Sequence, residues 1–168
     1  MQVPMEISYK EDASMAVYLV QHGKNVSKEQ NPEQPLSEEG RADVERVAEM
    51  ARKADIPVAK IEHSPKLRAR QTAEIFARVL GVPGGCKERE GIKALDDPRP
   101  VAEGLSSRGN LMLVGHLPFM SKLASYLVGG DPDLAIVRFQ NGGIVGLDQG
   151  KEDEGWVLSW TLFPSPML

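Results

Sequence analysis

The chain has 168 residues, 41% of them hydrophobic, and carries 20 Lys and Arg against 24 Asp and Glu, a formal net charge of -4. This length suits one hydrophobic core, and the mildly acidic balance argues against a broad nucleic-acid-binding face. Cys86 is the sole cysteine, so no internal disulfide forms, and no apolar run approaches the roughly 20 residues that cross a bilayer.

Residues 1–14 lack the basic start and apolar centre of a signal peptide. They are expected to form a flexible extension, followed by a single domain over residues 15–168, and the protein is expected to be a cytoplasmic monomer without nucleic-acid or membrane partners.

In chain order, Ala16 to Val20 is apolar on both faces, as a central strand of a parallel sheet requires. It opens into Gln21-His22-Gly23 and a polar loop through Pro35. Ser37 is placed to cap a helix over Gly40 to Ala54, where Ala42, Val44, Val47, Ala48 and Ala51 make the inward stripe and Glu38 and Glu39 suit the positive end. Val58 to His63 reads as a second strand. Ser64-Pro65 reads as the start of a second helix, whose buried stripe is Leu67, Thr72, Ile75, Phe76, Val79 and Leu80 and which ends at Gly81.

The pattern is weaker from Cys86 to Glu103, where a short strand is expected near Arg89 to Ile92, then a loop with Asp96 and Asp97, then a small helix after Pro100. Leu111 to Val114 is a clear third strand, opening into Gly115-His116-Leu117-Pro118 and a helix that ends at Gly129-Gly130. Ala135 to Phe139 and Ile144 to Leu147 are expected to pair through Asn141-Gly142-Gly143, with a last strand over Trp156 to Phe163. The alternation predicts an α/β fold, a three-layer α/β/α sandwich with a mostly parallel central sheet.

Four blocks, in this order, carry a resemblance: Val20-Gln21-His22-Gly23, Pro35-Leu36-Ser37-Glu38-Glu39-Gly40, His63-Ser64-Pro65-Lys66-Leu67-Arg68-Ala69-Arg70-Gln71-Thr72-Ala73, and Val114-Gly115-His116-Leu117-Pro118. Together they resemble the histidine phosphatase, or phosphoglycerate-mutase-like, superfamily, and especially its small SixA-type phosphohistidine phosphatase branch, from about Ala16 to Leu162. The resemblance implies a minimal helical cap and a pocket without metal or other cofactor. It implies His22 as the nucleophile that takes the phosphoryl group, His116 as the second active-site histidine, and Arg68 as a phosphate ligand. The family signature begins Arg-His-Gly, and here Gln21 stands in the arginine's place.

The chemistry fits these residue types. Phosphoryl transfer needs an in-line nucleophile and donors matched to the equatorial oxygens. A neutral imidazole can attack, and a guanidinium offers a fork suited to phosphate. Gln21 can donate from its amide but carries no charge, an expected cost of about 1–2 kcal/mol per contact relative to arginine; impaired catalysis is expected from this, and abolished catalysis does not follow. Lys24 is a candidate to replace the missing charge. Asp96 is a candidate proton donor, although a departing imidazole needs less help than a sugar alkoxide.

Ser64 reads as a helix cap, His63 as a packing residue, and the spacing of His22, His63, His116 and Cys86 matches no metal motif. The leading function is a phosphatase for protein phosphohistidine. The alternatives are a phosphomonoesterase for small metabolites and a phosphate- or phosphoprotein-binding relative with impaired turnover.

Overall fold

A computed structural model describes residues 16–150 and 154–165. The expected extension over residues 1–14 and the domain start at Met15 lie outside the described residues. Six strands form one sheet: β1 (Ala16–Gln21), β2 (Lys60–His63), β3 (Cys86–Glu88), β4 (Leu111–Gly115), β5 (Ile144–Gln149) and β6 (Trp156–Leu162), in the order β3-β2-β4-β1-β5-β6. The first four strands in that order run parallel. β5 and β6 continue the sheet antiparallel.

Four α-helices flank the sheet: α1 (Glu38–Lys53), α2 (Leu67–Leu80), α3 (Arg99–Glu103) and α4 (Phe119–Gly129). The alternation of side chains along β1 decides which layer each residue joins. Tyr18 and Val20 pack with Val44, Val47, Ala48, Ala73 and Phe76 of α1 and α2. Val17 and Leu19 pack with Val101 of α3 and with Phe119, Met120 and Leu123 of α4. Two apolar cores therefore lie on opposite faces of one sheet, which is the expected three-layer sandwich.

Both faces of β1 are occupied, so its five consecutive residues Ala16 to Val20 are all buried. The parallel β1–α1–β2 and β2–α2–β3 units lay their helices on one face, whereas α4, after β4, lies on the other. Since β4 is inserted between β2 and β1, the loops leaving the adjacent strands β1 and β4 diverge to opposite faces. A crevice opens between them, the usual site location in such sheets.

The local signals explain most helix ends. Ser37 accepts from the Gly40 N–H at 3.0 Å and caps α1. Gly81 and Gly130 take left-handed conformations that close α2 and α4.

Three expectations require correction. α2 begins at Leu67 with Lys66 as its N-cap residue, not at Ser64-Pro65; the Ser64 hydroxyl, bonded to His116, accepts from the Lys66 N–H at 3.4 Å just ahead of the helix. The short strand after α2 lies at Cys86–Glu88 rather than Arg89 to Ile92, pairing in register with Ile61 to His63. Residues 135–139 form no strand. β5 has β1 on one side and β6 on the other, so no edge is left for this segment, whose Ile136, Val137 and Phe139 pack onto the α4 core instead. No helix among the described residues is long and apolar enough to cross a membrane.

The loop after β1 is locked onto α1. Val26 N–H donates to Pro35 C=O at 2.9 Å and Ser37 N–H to Lys24 C=O at 3.0 Å. A Cβ on the buried Gly40 would lie 2.0 Å from the Lys24 carbonyl oxygen. Gly40→Ala is therefore expected to cost about 1–3 kcal/mol, as other overpacked sites do, and to lower the melting temperature by several degrees. Thermal unfolding followed by circular dichroism measures this.

Candidate active site

Register places the two histidines. Val20 pairs with Val114 and Gln21 with Gly115 along the parallel β1 and β4 strands, so the next residues, His22 and His116, leave the sheet side by side. The His22 N–H still donates to Gly115 C=O at 2.9 Å, extending the ladder by one step. The ring centroids are 5.0 Å apart with the planes tilted 56°. Both residues share strand parity with Val20 and Val114, hence the α1/α2 side, and both are buried.

The hydrogen bonds around His22 set its tautomer. Its Nδ1 lies 2.7 Å from the Gly23 carbonyl oxygen, which can only accept, so Nδ1 carries the proton. Nε2 then presents its lone pair, and Arg68 Nε donates to it at 3.3 Å. The backbone is held as firmly as the ring. Asn141 Nδ2 donates to His22 C=O at 3.0 Å, Gly142 N–H donates to Gln21 C=O at 2.8 Å, and Gly23 N–H donates to Thr72 Oγ1 at 3.0 Å. Thr72 in turn donates to Arg68 C=O at 2.8 Å. One threonine thus ties the loop that carries His22 to the first turn of α2, where Arg68 projects.

His116 is held by Ser64, whose Oγ is hydrogen-bonded to Nε2. The β2/β4 register brings these two together, since His63 pairs with Val114. Ser64 was read from sequence as a cap, and only the strand order reveals its partner. His63 turns its Nδ1 to Ser64 C=O at 2.9 Å and stays buried, which agrees with a packing role.

Burial governs the charge of the pair. Desolvation is the largest cause at both rings. It pushes the His22 imidazole down to about 4, with Arg68 adding to the shift against the Gly23 hydrogen bond. His116 falls to about 3, with His22, Arg68 and Lys66 as further causes. Near neutral pH both rings are uncharged, which leaves His22 nucleophilic. Arg68 is itself lowered by burial.

A cavity of about 320 Å³ opens beside Arg68 and His116, lined by Lys66, Arg68, Lys93, Ala94, Leu95, Asp96 and His116; His22 lies behind this wall, in contact with Arg68 and His116. Asp96 is thus on the cavity wall, its Oδ2 accepting from Lys93 N–H at 2.7 Å. Gln21 ends β1 with the parity of Val17 and Leu19, the opposite face from His22. The Lys24 ammonium is 2.5 Å from Glu39 and 3.8 Å from Asp43 of α1 and does not line the cavity.

Of the residues singled out by sequence, His22, Arg68 and His116 come together, with Asp96 on the same cavity. The sequence reading did not single out Lys93 and Leu95 as part of the wall, because the path of the loop after β3 is not periodic. No group of three or more His, Cys, Asp or Glu among the described residues is arranged to hold a metal ion.

The family model for the histidine phosphatase superfamily (branch 1) matches residues 17–93, which include His22 and Arg68 but not His116. Among curated proteins, none matches the chain. Solved structures share the fold. The protein histidine phosphatase SixA complexed with tungstate has a TM-score of 0.75 at 21% identity, over 89% of this chain and 97% of that one. A putative phosphohistidine phosphatase SixA from Agrobacterium tumefaciens has a TM-score of 0.70 at 24% identity, over 91% and 99%. Phosphoserine phosphatase in complex with 3-phosphoglyceric acid from Entamoeba histolytica has a TM-score of 0.66 at 16% identity, over 88% and 96%.

The two buried histidines make stability sensitive to acid. Their folded pKa values lie below the ordinary 6.5, so the unfolded chain binds more protons as pH falls. The stability present above pH 6.5 is lost progressively down through about 4 and 3. Each histidine contributes a slope approaching about 1.4 kcal/mol per pH unit within its window. Urea unfolding between pH 7 and 4 should show a steeper loss for wild type than for the His22→Asn, His116→Asn double variant.

Proposed function

We propose that this chain, whose residues 17–93 match the histidine phosphatase superfamily model, is a member of that superfamily and a phosphatase that works through a phosphohistidine on His22, with protein phosphohistidine as its substrate. The observation that carries the reading is the orientation of His22. Its Nδ1 proton is committed to the Gly23 carbonyl, so the Nε2 lone pair faces the guanidinium of Arg68 beside the second imidazole.

In the first step Nε2 attacks phosphorus in line, the N–P bond to His22 forms, and the bond to the leaving group breaks. Arg68 exchanges its contact with Nε2 for the phosphoryl oxygens, offering paired N–H donors. The incoming negative charge also opposes the factors that keep His116 neutral, so His116, steadied by Ser64, becomes a donor to the same oxygens. A departing imidazole takes its proton before or during cleavage. For an alkoxide leaving group the proton would come from Asp96, the carboxyl on the cavity wall. Water then attacks phosphorus, the N–P bond on His22 breaks, and phosphate leaves with the proton balance met by solvent.

The substrate assignment is supported by the shape of the entrance. The ten residues between β3 and α3 hold no helix or strand of their own, and Leu95 at the cavity mouth is 90% exposed. An entrance of this kind admits an imidazole at the end of a protein side chain and offers an apolar contact outside it. A structural neighbour that is a protein histidine phosphatase was solved with tungstate, a tetrahedral oxyanion. The second reading, a phosphomonoesterase for small metabolites, is favoured by Asp96 on the same cavity and by the neighbour bound to 3-phosphoglyceric acid.

His22→Asn is expected to reduce turnover of a phosphohistidine peptide by at least about a thousandfold, and Arg68→Ala by roughly a hundredfold. Rapid-quench labelling should capture an acid-labile, alkali-stable phosphoenzyme in wild type only. Parallel assays on a phosphohistidine peptide and on 3-phosphoglycerate decide the substrate class, and a higher kcat/KM on the latter would favour the second reading. The acid limb of kcat/KM should follow His22 in the free enzyme and fall near pH 4.

A further inference from the structure

With both imidazoles neutral and a glutamine at position 21, the fixed positive charge available to a phosphoryl group comes from the cations that line the cavity: Arg68, Lys66 and Lys93. The ammonium of Lys93 lies 3.9 Å from Glu90. That of Lys24 is held by Glu39 and Asp43 on α1. Lys66 stands apart, since no carboxylate among the described residues pairs with it.

The position of Lys66 is electrostatically unfavourable without an anion. It is the N-cap residue of α2, whose first turn holds no acidic residue and instead carries Arg68. α1 shows the ordinary arrangement, with Glu38 and Glu39 in its first turn. Cations at the positive end of a helix dipole repel the helix and one another, and an anion bound there relieves both terms. Lys66 also borders both cavities that flank Arg68. It lines the same cavity as Arg68 and His116, and its charge is felt at the His116 ring.

We infer that Lys66 is the second phosphate-binding cation of this site, acting with Arg68 on the nonbridging oxygens of the transferring group. The inference rests on the phosphatase reading for the identity of that group, but not for the binding of an oxyanion. Arg68 provides a fixed planar fork, whereas an ammonium on a flexible stem is a point charge able to follow phosphorus as it moves from leaving group to His22.

The test measures inorganic phosphate binding by calorimetry, and turnover of a phosphohistidine peptide, for wild type and for Lys66→Met, Lys66→Arg, Lys24→Met and Lys53→Met, with melting curves to verify folding. Lys66→Met is expected to raise the phosphate Kd by about tenfold or more and to lower kcat/KM at least as far. Lys66→Arg should restore most of both, and Lys53→Met, in the last turn of α1, should match wild type. An unchanged phosphate Kd in Lys66→Met, or the loss appearing in Lys24→Met instead, overturns the inference while leaving the phosphatase reading to the His22 variant. Phosphate binding weakened by Lys66→Met in a wild type that turns over no substrate upholds the inference and overturns the phosphatase reading. A wild type that binds no phosphate overturns both.

Discussion

The site depends on the parallel register of β1 with β4. That pairing sets Val20 against Val114 and Gln21 against Gly115, and with it the separation of the two imidazoles one residue further on. A shift of one residue along either strand would send one ring to the opposite face of the sheet. The register is specified strongly because both strands are buried on both faces, so that a slip would misplace Tyr18, Leu19, Met112 and Leu113 as well. Stability and chemistry therefore constrain the same backbone.

Around that pair, positioning groups come from each neighbouring segment. Thr72 links the loop after β1 to the α2 turn that carries Arg68. Ser64, just past β2, holds His116, and Asn141 and Gly142, just before β5, hold the backbone at His22. Strands adjacent in space but distant in sequence thus each lend one restraint. In the proposed reaction, this preorganisation lets a buried, neutral imidazole meet a charged phosphoryl group with little rearrangement.

Much of this was legible in the chain itself. Apolar runs such as Ala16 to Val20 and Leu111 to Val114 announce strands buried on both faces, and the motif residues His22, Arg68 and His116 announce the site. The rest is decided by partners that are far away in sequence. Residues 135–139 have strand-forming side chains, yet both sides of β5, their expected partner, are taken by β1 and β6. Ser64 beside proline looks like a cap, and only the β2/β4 register turns it into a partner for His116. The charge of Lys24 looks available until Glu39 and Asp43 of the facing helix take it up. Cavity walls built from an aperiodic loop, as Lys93 to Asp96 are, leave no repeat to read.

The ten-residue connection between β3 and α3 forms the cavity wall and leaves Leu95 exposed to solvent at its mouth. Among the described residues no helix or strand of this connection covers that entrance, so in the proposed cycle a delivered phosphoryl group stays within reach of water. In the proposed cycle the leaving protein chain departs and the solvent enters behind it, so the most abundant acceptor is water. An enzyme meant to hand the group to a second organic molecule needs a closed chamber. In the proposed cycle, an open vestibule of this kind instead favours hydrolysis of the phosphoenzyme over transfer.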